Sequence, residues 1–202
     1  MGYNRYGTNG MNRYGDITDT RDTRDKRDNL WKESFKGFYK KHSRSLWLYI
    51  CKICGDRNMA DDIFQESFFR FVKAAPVKLD EYQQKAYLYK IAYRLFIDQK
   101  RRLKTEQRNF EETAAEEVFE MRLGKEREIF LAMDMEKVFH LMKPQERALL
   151  WLAYVEGYSH IEIAGITGAG EKSIKVQLFR VKKKFAEILR RNGYDGDKGG
   201  IV

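Results

Sequence analysis

Proline is almost absent from this chain, and that restricts what it can fold into. Pro76 and Pro144 are the only two prolines in 202 residues. Apolar residues recur at three- and four-residue steps over long segments, and the apolar–polar alternation of half-buried strands is missing. Pro76 follows one periodic segment and Pro144 opens another, positions at which a helix tolerates proline. The sequence therefore predicts an all-α protein.

Charge and composition divide the chain into five predicted segments. The first repeats Asn-Arg-Tyr-Gly and then alternates Asp with Arg. With little to bury it should be disordered alone, although the alternating charges leave open that it extends a helix or docks a partner. Two small helical domains, joined by a flexible acidic linker, account for most of the rest. The predicted segments are the extension 1–28, the first domain 29–104, the linker 105–134, the second domain 135–193 and a flexible tail 194–202.

A helix-turn-helix is the sharpest local prediction, and it lies in the second domain. Gly157 can cap the preceding helix in the left-handed conformation. Ser159 followed by Glu162 fits a capping box, in which two side chains satisfy two helix-start N–H groups. Gly168 and Gly170 permit the tight turn before the next helix. These signals predict a short helix, a glycine turn and a longer helix.

The longer helix combines an apolar stripe with a cationic face. Ile174, Leu178 and Val181 recur at core-facing spacing, while lysines and arginines outnumber acidic residues elsewhere on it. A solvated lysine face is the alternative for a lone basic helix. The net charge of +9 and the preceding capped helix favour a nucleic-acid partner instead.

The sequence gives little support to a metalloprotein, a redox protein or a membrane protein. Cys51 and Cys54 have CxxC spacing, but no second pair and no histidines at ligand spacing complete a site. We expect structural thiols, no metal and no cofactor. Because no long uncharged apolar run and no secretory signal occur, we also expect no membrane span and a cytoplasmic protein.

Several motifs together resemble one protein family. Residues 59–68 carry an acidic-Asp-x-x-Gln-Glu-x-Phe pattern, and residues 87–102 run Tyr-Leu-x-x-Ile-Ala-Tyr-Arg-x-x-x-Asp-x-x-Arg-Arg. The series Pro-x-x-Arg, Glu-Gly-x-Ser, Glu-Ile-Ala and Ser-Ile-Lys follows from Pro144 onward. In order and spacing they resemble bacterial RNA polymerase sigma factors of the extracytoplasmic-function (ECF) group, over about residues 30–191. Tyr93-Arg94 departs from that family's usual Arg-Asn.

The resemblance implies a role for each domain. The first would bind the β and β′ subunits of core RNA polymerase and melt the promoter's −10 element, and the second would read the −35 element. The implied polymerase-binding residues are Asp61, Asp62, Gln65 and Glu66. The implied −10 residues are Tyr82, Gln83, Gln84, Lys85, Tyr87, Lys90, Arg94, Arg101 and Arg102. The implied −35 residues are Lys172, Ser173, Lys175, Val176, Phe179, Arg180 and Lys183.

Three functions compete at this point. An initiation factor has no chemistry of its own and acts with polymerase on promoter DNA. A stand-alone helix-turn-helix regulator binds its operator unaided, usually as a dimer. An enzyme acting on nucleic acid would use Asp61, Asp62 and Glu66 as metal ligands. The resemblance favours the first, and the charged N-terminal extension is a candidate contact for an anti-sigma factor or a recruiting protein.

Overall fold

The computed structural model describes residues 17–107 and 138–194, and these contain helices and no strand. The all-α prediction is confirmed. In chain order the elements are α1 (Ile17–Cys54), α2 (Arg57–Ala74), α3 (Glu81–Gln107), α4 (Pro144–Leu150), a π-helical turn (Trp151–Val155), α5 (His160–Thr167) and α6 (Glu171–Arg191).

The chain divides into two compact units, residues 1–39 and 40–202. The described part of the first unit is the N-terminal part of α1. Along it the rings of Trp31, Phe35 and Tyr39 follow one another at centroid distances of 6.1 Å. This spacing of four residues places the three rings on one face of the helix.

The N-terminal extension differs from its predicted disorder where it is described. Residues 17–28 belong to α1, so the alternative reading, in which the alternating charges extend a helix, holds for them. The sequence places opposite charges three and four residues apart, as in Asp22 and Lys26, a spacing that favours helix. Residues 1–16 lie outside the described part of the chain.

The apolar periodicity suggests a second helix from about Met59 to Ala75, but α2 begins earlier, at Arg57. Gly55, at φ +73°, ends α1, and the carboxylate of Asp56 caps α2 by accepting a hydrogen bond of 2.6 Å from the Met59 N–H. The sequence suggests that Asp61 and Asp62 lie in the first turn, where acidic side chains favour the helix dipole. That expectation is wrong, because they lie in the second turn. An aspartate is a strong N-cap residue, and Asp56 takes that position first.

The core of the first helical module forms where α2 and α3 pack on the second half of α1. The apolar positions of α2 suggest a core face of Ile63, Phe64, Phe68, Phe71 and Val72. Ile63, Phe68 and Phe71 are buried, Phe64 is half-buried and Val72 is 39% exposed. The buried hydroxyl of Ser67 keeps a hydrogen-bond partner, because it donates to the Ile63 carbonyl over 2.6 Å. Fully buried side chains from the other two helices complete the core: Leu46, Tyr49, Ile50, Ile53, Leu88, Tyr89 and Phe96.

The second module follows the predicted order of local signals. Pro144 opens α4, Gly157 reverses the chain at φ +73°, and Ser159 with Glu162 forms the predicted capping box of α5. Gly168 takes a left-handed φ of +77°, whereas Gly170 is the N-cap of α6 at φ −71°. Only Gly168 of that pair therefore needs glycine's freedom.

Most of the predicted linker and of the predicted tail lies outside the residues that the structure describes. Residues 105–107 form the last turn of α3, and residues 108–137 lie outside the described part of the chain, as do residues 195–202. The boundaries at 105–134, 135 and 194 stay predictions.

Replacing the α5 cap should measurably destabilise the helix-turn-helix. The Ser159 hydroxyl accepts from the Glu162 N–H, and losing such a cap costs about 1 kcal/mol. We expect Ser159→Ala to lower the free energy of unfolding by that amount in urea denaturation followed by circular dichroism. Ser173→Ala, in the exposed first turn of α6, is the control and should change stability by less than about 0.5 kcal/mol. Equal effects from both variants would contradict the cap's role.

Candidate nucleic-acid interface

Helix α6 separates a buried stripe from an exposed face. Ile174, Leu178 and Val181 are buried, as their spacing predicted. Phe179 is 71% exposed and Val176 is 48% exposed, so neither belongs to the core. An exposed phenylalanine ring places apolar surface in water, which is unfavourable. Contact with a partner surface would bury that apolar area.

The cations on that face are available for phosphates. All seven predicted −35 residues are exposed, and within the described ranges no salt bridge engages Lys172, Lys175, Arg180 or Lys183. Other cations of α6 are already used: Lys184 lies 2.6 Å from the Glu146 carboxylate, and Arg191 pairs with Glu187. Partial burial opposes ionisation of Glu146, but the Lys184 hydrogen bond outweighs it and the pKa of Glu146 is lowered.

The predicted polymerase-binding residues lie within the first ten residues of α2. Asp62 and Gln65 are exposed. Asp61 accepts a hydrogen bond of 2.9 Å from the Trp47 indole N–H, and Glu66 accepts one of 2.6 Å from Arg70. The structure therefore holds two of the four side chains in place and leaves the other two open to a partner.

The predicted −10 residues at the start of α3 come together only in part. Tyr82, Gln83, Tyr87 and Lys90 line one groove of about 390 Å³. The Gln84 amide instead donates to the carbonyls of Pro76 and Leu79, at 3.3 and 2.9 Å. It braces the loop before α3 and does not present its amide to the groove.

The three predicted arginines lie further along α3. Arg94, Arg101 and Arg102 are exposed, and Arg101 is 3.8 Å from Asp98. Arg102 lines a second groove, of about 310 Å³, with Asp62 and Glu66. One residue assigned to DNA thus borders the surface assigned to polymerase.

Sequence reasoning missed a contact between the two modules. The Glu156 carboxylate faces Lys85 across 2.7 Å and accepts hydrogen bonds from the Tyr89 hydroxyl, at 2.7 Å, and the Trp151 indole N–H, at 2.9 Å. Burial, reinforced by the Glu156 charge, raises the pKa of Tyr89, so its hydroxyl stays protonated and donates. In the sequence Glu156 is one member of a Glu-Gly-x-Ser motif, and no spacing links it to α3.

The two cysteines are buried and free. Burial raises the pKa of Cys51 to about 11 and that of Cys54 to about 12, so both remain thiols at neutral pH and are poor nucleophiles and metal ligands. Among residues 17–107 and 138–194 no cluster of His, Cys, Asp and Glu has the geometry of a metal site. No helix in these ranges is long and apolar enough to cross a membrane.

Comparison with protein families matches both modules to one family. The model for sigma-70 region 2 matches residues 38–106, and that for sigma-70 region 4 matches residues 132–185. The chain belongs to the sigma-70 family. The two matched regions include every predicted polymerase, −10 and −35 residue. A sigma factor is the component that directs RNA polymerase to initiate at specific promoters, and the helix-turn-helix described above lies in its region 4.

Curated relatives agree with this assignment. The ECF RNA polymerase sigma factor SigL of Mycobacterium tuberculosis is 24% identical over 169 residues, covering 78% of this chain and 90% of the relative. The ECF RNA polymerase sigma factor SigX of Bacillus subtilis is 24% identical over 181 residues, covering 82% and 90%. The protein is a sigma factor of the ECF group.

A solved structure shares the fold. The sigma factor RpoE of Bartonella quintana, crystallised with the anti-sigma factor NepR, superposes with a TM-score of 0.65 at 19% identity. The match covers 78% of this chain and 98% of that one. The arrangement of two helical regions is therefore common to both proteins.

Proposed function

We propose that the sigma factor divides promoter recognition between its two modules, with α6 reading the −35 element and the N-terminal half of α3 binding the melted −10 element. It performs no chemistry of its own and acts in the cytoplasm with core RNA polymerase. The observation that carries this proposal is the exposed face of α6, where cations free of intramolecular ion pairs in the described chain flank an exposed aromatic ring.

The chemistry of that face suits a major groove. An arginine can donate two hydrogen bonds to guanine, and an apolar side chain can contact a thymine methyl group. Arg180 has the first property, and Val176 and Phe179 have the second. Lys172, Lys175 and Lys183 carry point charges suited to phosphates, which position a protein on DNA but do not specify sequence.

Arg180 should therefore control sequence preference. We expect Arg180→Ala to reduce discrimination among −35 sequences by about 1–3 kcal/mol while leaving binding to core polymerase unchanged. Initiation sites are first mapped by sequencing the transcripts that the purified sigma factor and core enzyme start on genomic DNA. Run-off transcription from one such promoter, with each −35 position varied, then measures the preference.

Arg191→Ala is the matched control for that experiment. Arg191 lies in the last turn of the same helix and pairs with Glu187. This variant removes an equal charge and should keep the −35 preference. An Arg180→Ala protein with an unaltered preference would rule out Arg180 as a reader.

Helix α2 supplies the polymerase contact in this proposal. Asp62 and Gln65 stand three positions apart on α2, so they share a face of the helix. Asp61 and Glu66, held by Trp47 and Arg70, flank them and add negative charge. The result is a small anionic and amide-bearing surface, suited to basic and hydrogen-bonding groups on the polymerase.

The double variant Asp62→Ala with Gln65→Ala tests that surface. Both side chains are exposed, so the fold should be unaffected while affinity for core polymerase falls by about tenfold or more, as expected for removing two interface side chains. Fluorescence anisotropy of the labelled sigma factor titrated with core enzyme measures this. Glu187→Ala, an exposed acidic residue on α6, should bind normally; normal binding by the double variant would refute the assignment.

The N-terminal extension is proposed as the contact for a further partner, an anti-sigma factor or a recruiting protein. It precedes the matched region 2, which starts at residue 38, so it is additional to the two family modules. We expect deletion of residues 1–28 to leave transcription with purified core enzyme intact and to change the activity of the sigma factor in cells. A deletion mutant with unchanged reporter activity in cells would remove this role.

A further inference from the structure

Near its C-terminal end, helix α3 carries two adjacent arginines that lie on different surfaces. Arg101 and Arg102 are both exposed. Successive residues of an α-helix point about 100° apart around its axis, so two neighbouring side chains do not share a face. The resemblance assigns both arginines to the −10 element, whereas the structure separates them.

Arg101 lies on the side of α3 that carries the proposed −10 surface. Along this side are Gln83, Lys90, Arg94 and Arg101. Their spacings of seven, four and seven residues keep them on one face of the helix. Gln83 and Lys90 line the groove at the start of α3. The ion pair of Arg101 with Asp98 is long, at 3.8 Å, and such an exposed pair restrains the arginine little.

Arg102 instead lines the second groove, which lies between α2 and α3 and has a volume of about 310 Å³. We call it the α2–α3 groove. Met59 and Ile63 of α2 and Leu95 of α3 give it an apolar part. The position of Arg102, seven residues after Leu95, places both side chains on the side of α3 that faces α2. The groove therefore combines apolar surface with charged side chains.

The charged side chains of the α2–α3 groove leave one of each sign unpaired. Glu66 and Arg70 satisfy each other across 2.6 Å. Across the described stretches 17–107 and 138–194 no salt bridge engages Asp62 or Arg102. A partner that fills the groove must bring a cation to Asp62 and an anion to Arg102, because a charge removed from water needs a partner of opposite sign.

Nucleic acid is a poor occupant of this groove. Three carboxylates line it, those of Asp62, Glu66 and Asp98, and a phosphate chain bound at Arg102 would run past them. Nucleic acid is attracted by net positive potential, and two arginines do not outweigh three carboxylates. A protein segment with side chains of both signs fits the α2–α3 groove better than a uniformly negative strand.

Core polymerase is the protein that the location of the groove favours. The groove is continuous with the surface proposed to contact polymerase, since Asp62 and Glu66 belong to both. We propose that Arg102 binds core RNA polymerase and not DNA, and that the α2–α3 groove receives a polymerase segment with an acidic and a basic side chain beside an apolar one. Arg101 stays with the −10 element. This inference rests on the proposed polymerase surface of α2.

The test measures each arginine against each partner. Arg101→Ala and Arg102→Ala remove equal charges from neighbouring exposed positions, so each is the matched control of the other. Fluorescence anisotropy of the labelled sigma factor titrated with core enzyme, without DNA, reports polymerase affinity. A fluorescent adenine analogue in the −10 element of a mapped promoter reports opening at saturating core enzyme over a range of salt concentrations. Arg44→Ala, at an exposed position of α1, should change neither quantity.

We expect Arg102→Ala to weaken binding to core enzyme by about fivefold or more, as for truncation of an interface arginine. At saturating core enzyme it should open the promoter as the wild type does. Arg102→Glu should weaken core binding further, because it opposes an acidic partner, and Arg102→Lys should bind more tightly than Arg102→Glu. Arg101→Ala should keep the core affinity and lower the slope of promoter binding against salt, on logarithmic scales, by about one, since one phosphate contact is lost.

Two results would overturn the inference: core binding by Arg102→Ala that equals that of the wild type, or a loss of promoter opening by Arg102→Ala as large as that by Arg101→Ala. The double variant Asp62→Ala with Gln65→Ala, in the same titration, judges the proposed function separately. If it loses affinity while Arg102→Ala does not, Arg102 is no polymerase contact and the α2 surface stands. If both bind normally, the proposed α2 surface fails and this inference fails with it.

Discussion

A single buried carboxylate fixes how the two helical modules of unit 40–202 meet. Glu156 brings a charge into a site from which water is almost excluded, and only the combined donors of α3 and the π-helical turn make that tolerable. Such a contact is selective because any shift of one module against the other would leave a buried charge or a buried donor unsatisfied. A purely apolar contact of similar size would accept many registers.

The two surfaces predicted to bind DNA differ in this arrangement. Two residues assigned to the −10 element contact the second module: Lys85 is paired with Glu156, and the ring of Tyr82 packs against that of Tyr158. Residues assigned to the −35 element stay in solvent, and Phe179 is 71% exposed. The surface predicted to bind duplex DNA is thus open to solvent, whereas part of the surface predicted to bind a melted strand contacts the second module.

Local signals in the sequence predicted most of the fold. The contacts between residues far apart in the chain could not be predicted from the sequence. The capping box of Ser159, the left-handed Gly168 and the stripe of α6 depend on neighbours within about one helical turn, so spacing reveals them. The expected first-turn position of Asp61 was wrong because Asp56, five residues earlier, caps the helix. The Glu156–Tyr89 hydrogen bond joins residues 67 positions apart, and no periodicity records such a pair. The direction of the Gln84 side chain could not be predicted from the sequence either, because it is set by hydrogen bonds to the carbonyls of Pro76 and Leu79.

Because of the π-helical turn, the direction of the Glu156 side chain depends on the number of residues in Trp151–Val155. Through it the Glu156 N–H bonds to the Trp151 carbonyl, five positions back, at 3.0 Å, one more than in an α-helix. Removing one residue from Trp151–Val155 would restore ordinary helical winding and turn every following side chain by about 100° around the axis. Glu156 would then point away from α3 even though its chemistry is unchanged. Related chains that differ here by a one-residue gap are expected to lack the Glu156 contact with α3 while keeping an intact helix-turn-helix.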